Sequence, residues 1–315
     1  MRGRWRDLID DLTDLVLPAE CGGCGRPRTV LCPECRAALH GTAPRRVRPV
    51  PEPPGLPVVH AAAPYRNAVR ATLLAHKERG VLTLAGPLGT ALAGAVRAGL
   101  DAAATRWPTG GSGALRTRAG DRRAGGCSAV ARPDGQRVPV LLVPVPSARR
   151  SVRARGHDPV RRIAFAAAGE LRRAGSAARV AAVLRQRRTV ADQSGLSSRQ
   201  RLVNLAGALE VAGGGAGLLT GGRVVLVDDL MTTGASLTEA ARAVREALGI
   251  TDTEDAEVYS RAAGEARGRW STMETTGSAH RHRAPYGMAV GNGVGDGIHA
   301  AVIAASRDSF EINRN

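Results

Sequence analysis

The sequence predicts an α/β fold in which a parallel sheet is covered by helices. From residue 58 onward, short apolar runs alternate with segments of helical length, and this alternation is typical of parallel sheets covered on both faces. The run over residues 138–145 is continuously apolar, as expected for a strand that is buried on both faces. With 315 residues, the chain can bury one full-sized core and one small additional module.

The individual elements follow from hydrophobic periodicity and from the length of each apolar run. We expect strands at residues 58–65, 138–145, 180–184, 223–228 and 298–305, the last of them in the same sheet after an insertion. We expect helices at residues 4–17, 67–76, 85–104, 159–174 and 236–248, and a basic loop that becomes helical over residues 185–205.

Two long segments, residues 105–136 and 250–297, lack this periodicity. Both are rich in Gly and polar residues, so we expect flexible insertions there. Residues 41–57 are rich in Pro and Arg, which favours a linker. We therefore predict a small module with its linker at residues 1–50 and a main domain at residues 51–315.

Four cysteines near the N-terminus form two Cys-x-x-Cys pairs. Cys21 and Cys24 are the first pair, and Cys32 and Cys35 follow after a short spacer. Four thiolates can hold Zn²⁺ in a closed tetrahedral site, which is structural because no position stays open for catalysis. Disulfides or a redox pair are the competing interpretations, and both are less common in a reducing compartment. The pattern favours a small zinc ribbon.

The N-terminal segment has the composition of a cytoplasmic chain. Residues 1–17 alternate acids with apolar residues and lack the long uncharged run of a signal peptide. No stretch reaches the roughly 20 uninterrupted apolar residues that a membrane-spanning helix needs. We therefore expect a cytoplasmic protein without a membrane span.

Positive charge is concentrated in one part of the chain. The formal net charge is +17, and residues 137–204 contain 15 arginines and three acids. A GC-rich coding bias explains why the basic residues are 44 arginines and one lysine, but it does not explain their clustering. The cluster indicates a polyanionic ligand such as nucleic acid, a nucleotide or pyrophosphate. Aromatic residues make up only 3% of the chain, which disfavours a stacking platform for single-stranded nucleic acid.

The segment VVLVDDLMTTGAS, residues 224–236, predicts a strand, an anion-binding turn and the start of a helix. Backbone N–H groups at a helix N-terminus bind anions, and a glycine lets the backbone approach a phosphate closely. An ordinary strand followed by an N-capped helix is the competing interpretation. The candidate phosphate-binding residues are Thr232, Thr233, Gly234, Ala235 and Ser236.

Asp228 and Asp229 precede this turn and are our candidate catalytic residues. They would repel a phosphate alone, but they can accept hydrogen bonds from vicinal ribose hydroxyls or help to hold Mg²⁺. The segment has no Gly-Lys-Ser/Thr sequence and is therefore not a Walker loop. It resembles the signature of type I phosphoribosyltransferases. This resemblance implies binding of 5-phosphoribosyl 1-pyrophosphate (PRPP) on a type I phosphoribosyltransferase-like sheet.

Basic residues that follow the predicted strands are candidates for binding pyrophosphate. Ligands of open α/β folds bind at the carboxyl ends of the strands, and the second of the two basic loops could close over the substrate as a lid. A solvated side chain is the alternative for each arginine, and a chance surface residue is the alternative for the lysine. The candidates are Arg149, Arg150, Arg153 and Arg155 in the first loop, Arg185, Arg187 and Arg188 in the second, and Lys77.

The order of these motifs resembles the ComF family. The shared features are CxxC…CxxC, a Lys-Xaa-Arg-Gly element at Lys77, VPVP followed by RxRG, the second basic loop, and VDD-x-x-TTG. The resemblance covers about residues 5–100, 138–249 and 298–312. Many relatives have Phe-Asn-Gln after RxRG, whereas this chain has His157-Asp158-Pro159. Members of the family are linked to DNA uptake and carry a phosphoribosyltransferase-like domain.

Two functions follow from the resemblance and the residues. The first is a phosphoribosyltransferase that uses PRPP and Mg²⁺, and the basic lid and pyrophosphate clamp favour it. The second is a non-catalytic adaptor that keeps the nucleotide pocket and binds single-stranded DNA or a helicase partner. The absence of an obvious base-recognising aromatic residue favours the adaptor.

Overall fold

A computed structural model describes residues 20–106, 138–188, 190, 197–250 and 297–311. Over these residues, a mostly parallel β-sheet is flanked by helices, and a cysteine cluster lies near the N-terminus. The predicted α/β class with a parallel sheet is therefore confirmed. The predicted N-terminal helix and nearly all of both predicted insertions lie outside the described residues.

The described strands and helices give the following order along the chain. The strands are β1 (Arg45–Val47), β2 (Val58–Pro64), β3 (Val140–Pro144), β4 (Ala178–Val180), β5 (Leu184–Gln186), β6 (Leu209–Val211), β7 (Arg223–Met231) and β8 (His299–Ala305). The helices are α1 (Pro33–His40), α2 (Asn67–Lys77), α3 (Ala85–Arg106), α4 (Arg149–Arg155), α5 (Pro159–Arg173), α6 (Ser198–Leu205), α7 (Gly215–Leu219), α8 (Ala235–Leu248) and α9 (Arg307–Glu311), with a 3-10 turn at Leu82–Leu84. None of the helices in these segments has both the length and the apolar character needed to cross a bilayer.

The main sheet has six strands within the described residues, in the order β1-β2-β8-β7-β3-β4. β1 is antiparallel to β2, and every other neighbouring pair is parallel. β8 lies between β2 and β7, which confirms that the strand after the insertion belongs to the same sheet. β5 and β6 form a separate antiparallel pair. The carboxyl ends of β2, β8, β7 and β3 therefore meet at one edge of the main sheet.

The side chains of β7 show why its sequence is continuously apolar. Val225 and Val227 lie in a core that also contains residues of α3 and α5. Val224 and Leu226 lie in a second core, which contains residues of α8. Successive residues of a strand face opposite sides of the sheet, so a strand covered on both sides needs apolar residues at every position.

The apolar run at residues 180–184, predicted as one strand, is divided by a bend. β4 ends at Val180, and β5 begins at Leu184 in the separate pair. Within the bend, the Val183 N–H donates to the Ala181 carbonyl oxygen at 2.9 Å. Both of these residues are buried, so the sequence stays apolar through the bend and does not reveal it.

The segment at residues 41–57, predicted as a linker, contains the edge strand β1. Arg45 is exposed, whereas Val47 is fully buried in the core. Prolines near β1 are compatible with pairing because an edge strand forms ladder hydrogen bonds on one side only. The linker interpretation is therefore wrong for residues 45–47.

Candidate functional site

The carboxyl edge of the sheet holds the predicted anion-binding segment. β7 carries Asp228 and Asp229 near its end, and α8 begins at Ala235 after a short turn. The predicted order of strand, turn and helix is confirmed, although the strand continues past both acids to Met231. Because side chains alternate along a strand, Asp229 faces the side of α3 and α5, and Asp228 faces the side of α8.

Lys77 reaches Asp229 from the C-terminal end of α2. Its Nζ lies 2.8 Å from Asp229 Oδ2, and the Asp229 side chain is only 7% exposed. Burial lowers the pKa of Lys77, but the charge of Asp229 and the hydrogen bond between them outweigh burial, so the pKa is raised overall. Lys77 therefore stays ionised and neutralises one of the two adjacent acids.

Asp228 has less favourable surroundings. Its carboxyl group is partly buried, and burial, followed by the negative charge of Asp229, raises its pKa well above the ordinary value. Its Oδ1 accepts a hydrogen bond from the Asp229 backbone N–H at 2.8 Å. Lys77 opposes the shift from its place beside Asp229. This arrangement suits a ligand that brings a cation or hydroxyl donors to Asp228.

The turn after β7 presents backbone N–H groups and hydroxyls to the same edge. Gly234 has φ of 78°, which favours glycine, and it is the N-cap of α8. No described side chain caps this end of the helix, so the first N–H groups of α8 are available to an anion. Thr232 is exposed and Thr233 and Ser236 are partly exposed, whereas Ala235 is buried and offers only its backbone.

Arg201, which the sequence did not single out, also reaches this turn. It lies on α6, and its Nη1 donates to Thr232 Oγ1 at 3.3 Å. Leu205 of the same helix shares a small buried cluster with Ala235 at the start of α8. The helical end of the basic loop therefore lies against the anion-binding turn. The sequence signal for Arg201 was only its place in an arginine-rich loop, because its partner depends on the fold.

Four of the predicted pyrophosphate-binding arginines lie on α4, directly after β3. Arg155 is mostly buried, and its Nη1 lies 2.9 Å from Glu78 Oε1 next to the end of α2. Arg149 Nη2 donates to the Gln186 carbonyl oxygen at 3.2 Å, which ties α4 to β5. Arg155 and Arg149 thus have partners within the chain, and Arg149 is exposed like the remaining two. These exposed residues are Arg149, Arg150 and Arg153.

The three predicted lid arginines lie on or beside β5. Arg185 Nε lies 2.9 Å from Glu210 Oε1 on the neighbouring strand β6. Arg188 Nη2 donates to two carbonyl oxygens at the C-terminus of α6, at 2.8 and 2.9 Å. Arg187 is exposed. In this conformation, Arg185 and Arg188 have partners within the chain, and the role of all three in binding pyrophosphate stays a prediction.

The four cysteines come together as predicted. Their Sγ atoms all lie within 4.8 Å of one another. The Sγ atoms of Cys24 and Cys32 are 3.6 Å apart, close to the roughly 3.8 Å between ligands of a tetrahedral site with zinc–sulfur bonds of about 2.3 Å. A disulfide would need about 2.05 Å, and all four are free cysteines. The cluster is positioned to bind a metal ion and is consistent with structural zinc.

Backbone hydrogen bonds within the cluster favour thiolate formation. The N–H groups of Gly23 and Cys32 donate to Cys21 Sγ at 3.4 and 3.3 Å. Burial acts to raise the pKa of the Cys21 thiol, but backbone hydrogen bonds outweigh it and lower the pKa to about 6. Burial and the neighbouring cysteines raise the pKa of Cys35. Adjacent thiols resist complete ionisation unless a cation is bound, so the cluster suits a divalent metal.

The cysteine segment packs directly on α2 and on the turn that follows it. A Cβ added at Gly23 would lie 2.6 Å from Cys35 Sγ and 3.2 Å from Thr72 Oγ1. A Cβ added at Gly22 would lie 2.6 Å from a methyl group of Leu84. Cysteines of the cluster also share one hydrophobic core with residues of α2, α3 and the sheet. The cluster is therefore built into the core of the described structure.

Comparisons with known proteins do not assign a family. A scan against protein-family models and a search of curated proteins both find no match. The fold and the site define a class: an α/β protein with a mostly parallel sheet, an acid pair beside an uncapped helix N-terminus, and four cysteines placed to bind a metal. The functional conclusion therefore rests on the chemistry of these two sites.

Proposed function

We propose that the protein binds PRPP at the carboxyl end of β7 and transfers its phosphoribosyl group, as a ComF-type protein with a type I phosphoribosyltransferase-like fold. The observation that carries the proposal is the acid pair Asp228 and Asp229 beside the uncapped N-terminus of α8. Acids repel a simple phosphate, whereas a ribose phosphate brings its hydroxyls to the acids and its phosphate to the helix. The two features together suit a ligand with both groups.

The pyrophosphate end of this ligand requires cations. Mg²⁺ would be held near Asp228 and Asp229 and would neutralise the charge of the leaving pyrophosphate. The acids fit this ion because oxygen ligands suit Mg²⁺ and because Asp228 lies next to a second acid while Lys77 is bonded to that second acid. Arg150 and Arg153 are exposed on α4, which follows β3, the neighbour of β7 in the sheet. From there they can add positive charge. The protein then contributes mainly positioning and electrostatic stabilisation of a cationic sugar.

Lys77 gains a second partner in this proposal. Before the ligand binds, its ammonium group neutralises Asp229 and so reduces the repulsion that an incoming anion meets. Bound pyrophosphate offers Lys77 a second anion, and a compact ammonium group can contact both.

Calorimetry of PRPP binding tests the ligand. We expect tighter binding with Mg²⁺ than without it, and a loss of about tenfold or more in Asp228→Asn and Asp229→Asn, because each change removes a charged acceptor. Asp101→Asn is the matched control, since Asp101 is an exposed acid on α3 near Arg223 at the opposite end of β7. No binding heat in the wild type with Mg²⁺ would rule out the ligand. Pyrophosphate release with a panel of bases then separates transfer from binding alone.

The exposed arginines of α4 support a second candidate function, the adaptor. Arg149, Arg150 and Arg153 face solvent on one short helix, which suits the phosphate backbone of single-stranded DNA. In this function the pocket binds PRPP without transfer, and the arginines bind DNA or a helicase partner. Filter binding of single-stranded DNA over a salt series tests it. A steep salt dependence that weakens in Arg150→Gln/Arg153→Gln supports the DNA-binding adaptor, and a flat response would show that these arginines do not contact the DNA backbone.

The four cysteines lead us to propose a structural Zn²⁺ ion. Thiolates are preferred zinc ligands, and four of them close the tetrahedron. We assign the ion no catalytic part, because four cysteine ligands leave no open coordination position on it.

A further inference from the structure

Glu239 on α8 is a buried acid that the proposed function does not use. Its side chain is 1% exposed, and its Oε1 lies 2.8 Å from Arg242 Nη2. The same Oε1 accepts a hydrogen bond from the Leu209 N–H at 2.9 Å, and Arg242 Nη2 donates to the Leu209 carbonyl oxygen at 2.8 Å. One ion pair therefore binds both backbone polar groups of a single residue of β6.

This ion pair takes the place of a third strand beside the β5–β6 pair. Leu209 is paired on its other side with Gln186 of β5. An edge strand presents unpaired N–H and C=O groups, and burying them requires partners. Burying a charged pair costs desolvation, and the hydrogen bonds to the two Leu209 backbone groups offset part of that cost. What the ion pair adds is a fixed position, because two directional hydrogen bonds set where β6 lies on α8.

The position of β6 also affects the position of the arginine-bearing segments, because β6 pairs with β5 and β5 is bonded to α4. Gln186 of β5 accepts two hydrogen bonds from Arg149, one from the backbone N–H at 3.4 Å and one from Nη2 at 3.2 Å. Arg149 begins α4, which carries the exposed arginines of the first basic loop. The contacts therefore run from α8 through β6 and β5 to α4.

We call the contacts that run from Glu239 and Arg242 through β6 and β5 to α4 the framework. One face of α8 connects this framework to the anion-binding turn. Ala235, Glu239 and Arg242 are spaced by four and three residues, so they lie on the same side of the helix. Ala235 begins the helix directly after the turn and shares a small buried cluster with Leu205 and Ala208, which lie just before β6. The helix that receives the phosphate thus also sets the position of the arginines.

We propose that Glu239 and Arg242 are positioning residues that hold the arginines of α4 and β5 in place for the pyrophosphate of PRPP. The inference rests on the proposed function and deepens it, because it assigns the framework to the pyrophosphate part of the ligand. Ribose 5-phosphate lacks pyrophosphate and needs only the acid pair and the turn. The two ligands therefore respond differently when the framework is loosened.

The test compares PRPP with ribose 5-phosphate by calorimetry in Arg242→Lys. Lysine keeps the charge but cannot donate to Glu239 and to the Leu209 carbonyl oxygen through a planar fork. We expect PRPP affinity to fall about tenfold or more, since small displacements of binding groups have large effects, while ribose 5-phosphate affinity stays within about twofold. Glu239→Gln, which keeps an acceptor for the Leu209 N–H, is the second variant and has the same expected pattern.

Glu246→Gln is the matched control. Glu246 is an exposed partner of the same Arg242 side chain, one turn further along α8, and its Oε2 accepts a hydrogen bond from Arg242 Nη1. We expect this control to bind both ligands like the wild type. Equal losses for both ligands in Arg242→Lys, or no loss of PRPP affinity in either variant, would overturn the proposal.

Amide hydrogen exchange separates this inference from the proposed function. If the wild type binds neither ligand, the proposed function is wrong. Amide hydrogen exchange alone then tests whether the ion pair positions β6. Arg242→Lys should then speed exchange at Leu209 and in β5 while the amides in the middle of α8 keep their protection. Unchanged exchange at Leu209 would show that the ion pair does not position β6.

Discussion

The ionised carboxylate of Asp228 destabilises the folded protein when no ligand is bound. A residue kept only for stability would not have this effect. Its carboxyl group is partly buried next to a second acid, and the nearby ammonium group of Lys77 is bonded to Asp229 instead. Lys77 and Asp229 are 152 residues apart in the chain. The sequence marked each of them as a candidate, but only the fold brings them together, because long-range pairing is not encoded in local patterns.

We expect Asp228→Asn to stabilise the unliganded protein by about 1 kcal/mol at pH 7. The folded pKa is raised, so the ionised carboxylate destabilises the folded state above that pKa, and the cost disappears as pH falls toward the ordinary value of 3.8. The gain of the variant should therefore shrink between pH 7 and pH 4. Urea unfolding of both proteins at the two pH values measures it.

The control for this stability measurement is Asp101→Asn, which changes an exposed acid and should alter unfolding by less than about 0.5 kcal/mol. An Asp228→Asn protein that is less stable than the wild type at pH 7 would contradict the expected sign.

At the scale of elements, α8 has a glycine in the left-handed region at each end. Gly234 has φ of 78° at the N-cap, and Gly249 has φ of 68° at the C-cap. A Cβ at Gly234 would lie 3.0 Å from Leu56 Cδ1, whereas no described atom lies within 4 Å of a Cβ at Gly249. The two positions share the same backbone requirement but differ in their surroundings.

We expect Gly234→Ala and Gly249→Ala each to lower the free energy of unfolding by about 1 kcal/mol, because alanine is strained at positive φ. Gly234→Ala should lose somewhat more through contact with Leu56, and it alone should weaken PRPP binding, since it moves the anion-binding turn. Thermal unfolding and calorimetry on the two variants measure both effects. Equal PRPP affinity in the two variants would argue against phosphate binding at this turn.

The strands and helices also show which structural features can be predicted from sequence patterns. The long apolar runs of β7 and β8 were predicted correctly, since burial on both faces leaves a clear signal. β1 was missed because it has three residues and a burial gradient that resembles an ordinary loop. The contacts of Glu239 and Arg242 with Leu209 were missed because a charged pair on a helix normally indicates a solvated face.

At the scale of the whole molecule, the cysteine cluster is part of the main core. Cys32 is fully buried, and Gly22 and Gly23 allow the cluster to approach Leu84 and α2 closely. Loss of a metal from this position would affect more than the N-terminal segment, because α2 also carries Lys77. The predicted boundary between the small module and the main domain is thus crossed by shared packing.

We expect protein purified without chelator to contain about one zinc per chain, and removal of zinc to lower the free energy of unfolding of the whole domain by about 2 kcal/mol or more. Cys24→Ser, which changes the exposed ligand, should have the same effect. Cys127→Ser is the control, because Cys127 lies outside the cluster in the sequence and outside the described residues. Metal analysis and thermal unfolding measure these changes, and protein without zinc would exclude the zinc assignment.

The central place of β8 has a consequence for how the protein folds during synthesis. β8 follows every other described strand in the chain, yet it fills the gap between β2 and β7. Until the ribosome has released it, β2 and β7 lack a common neighbour, and their unpaired edges are exposed to other chains. The described sheet stays in two parts until β8 has been made, so the acid pair of β7 gains its neighbour on that side only after β8 pairs.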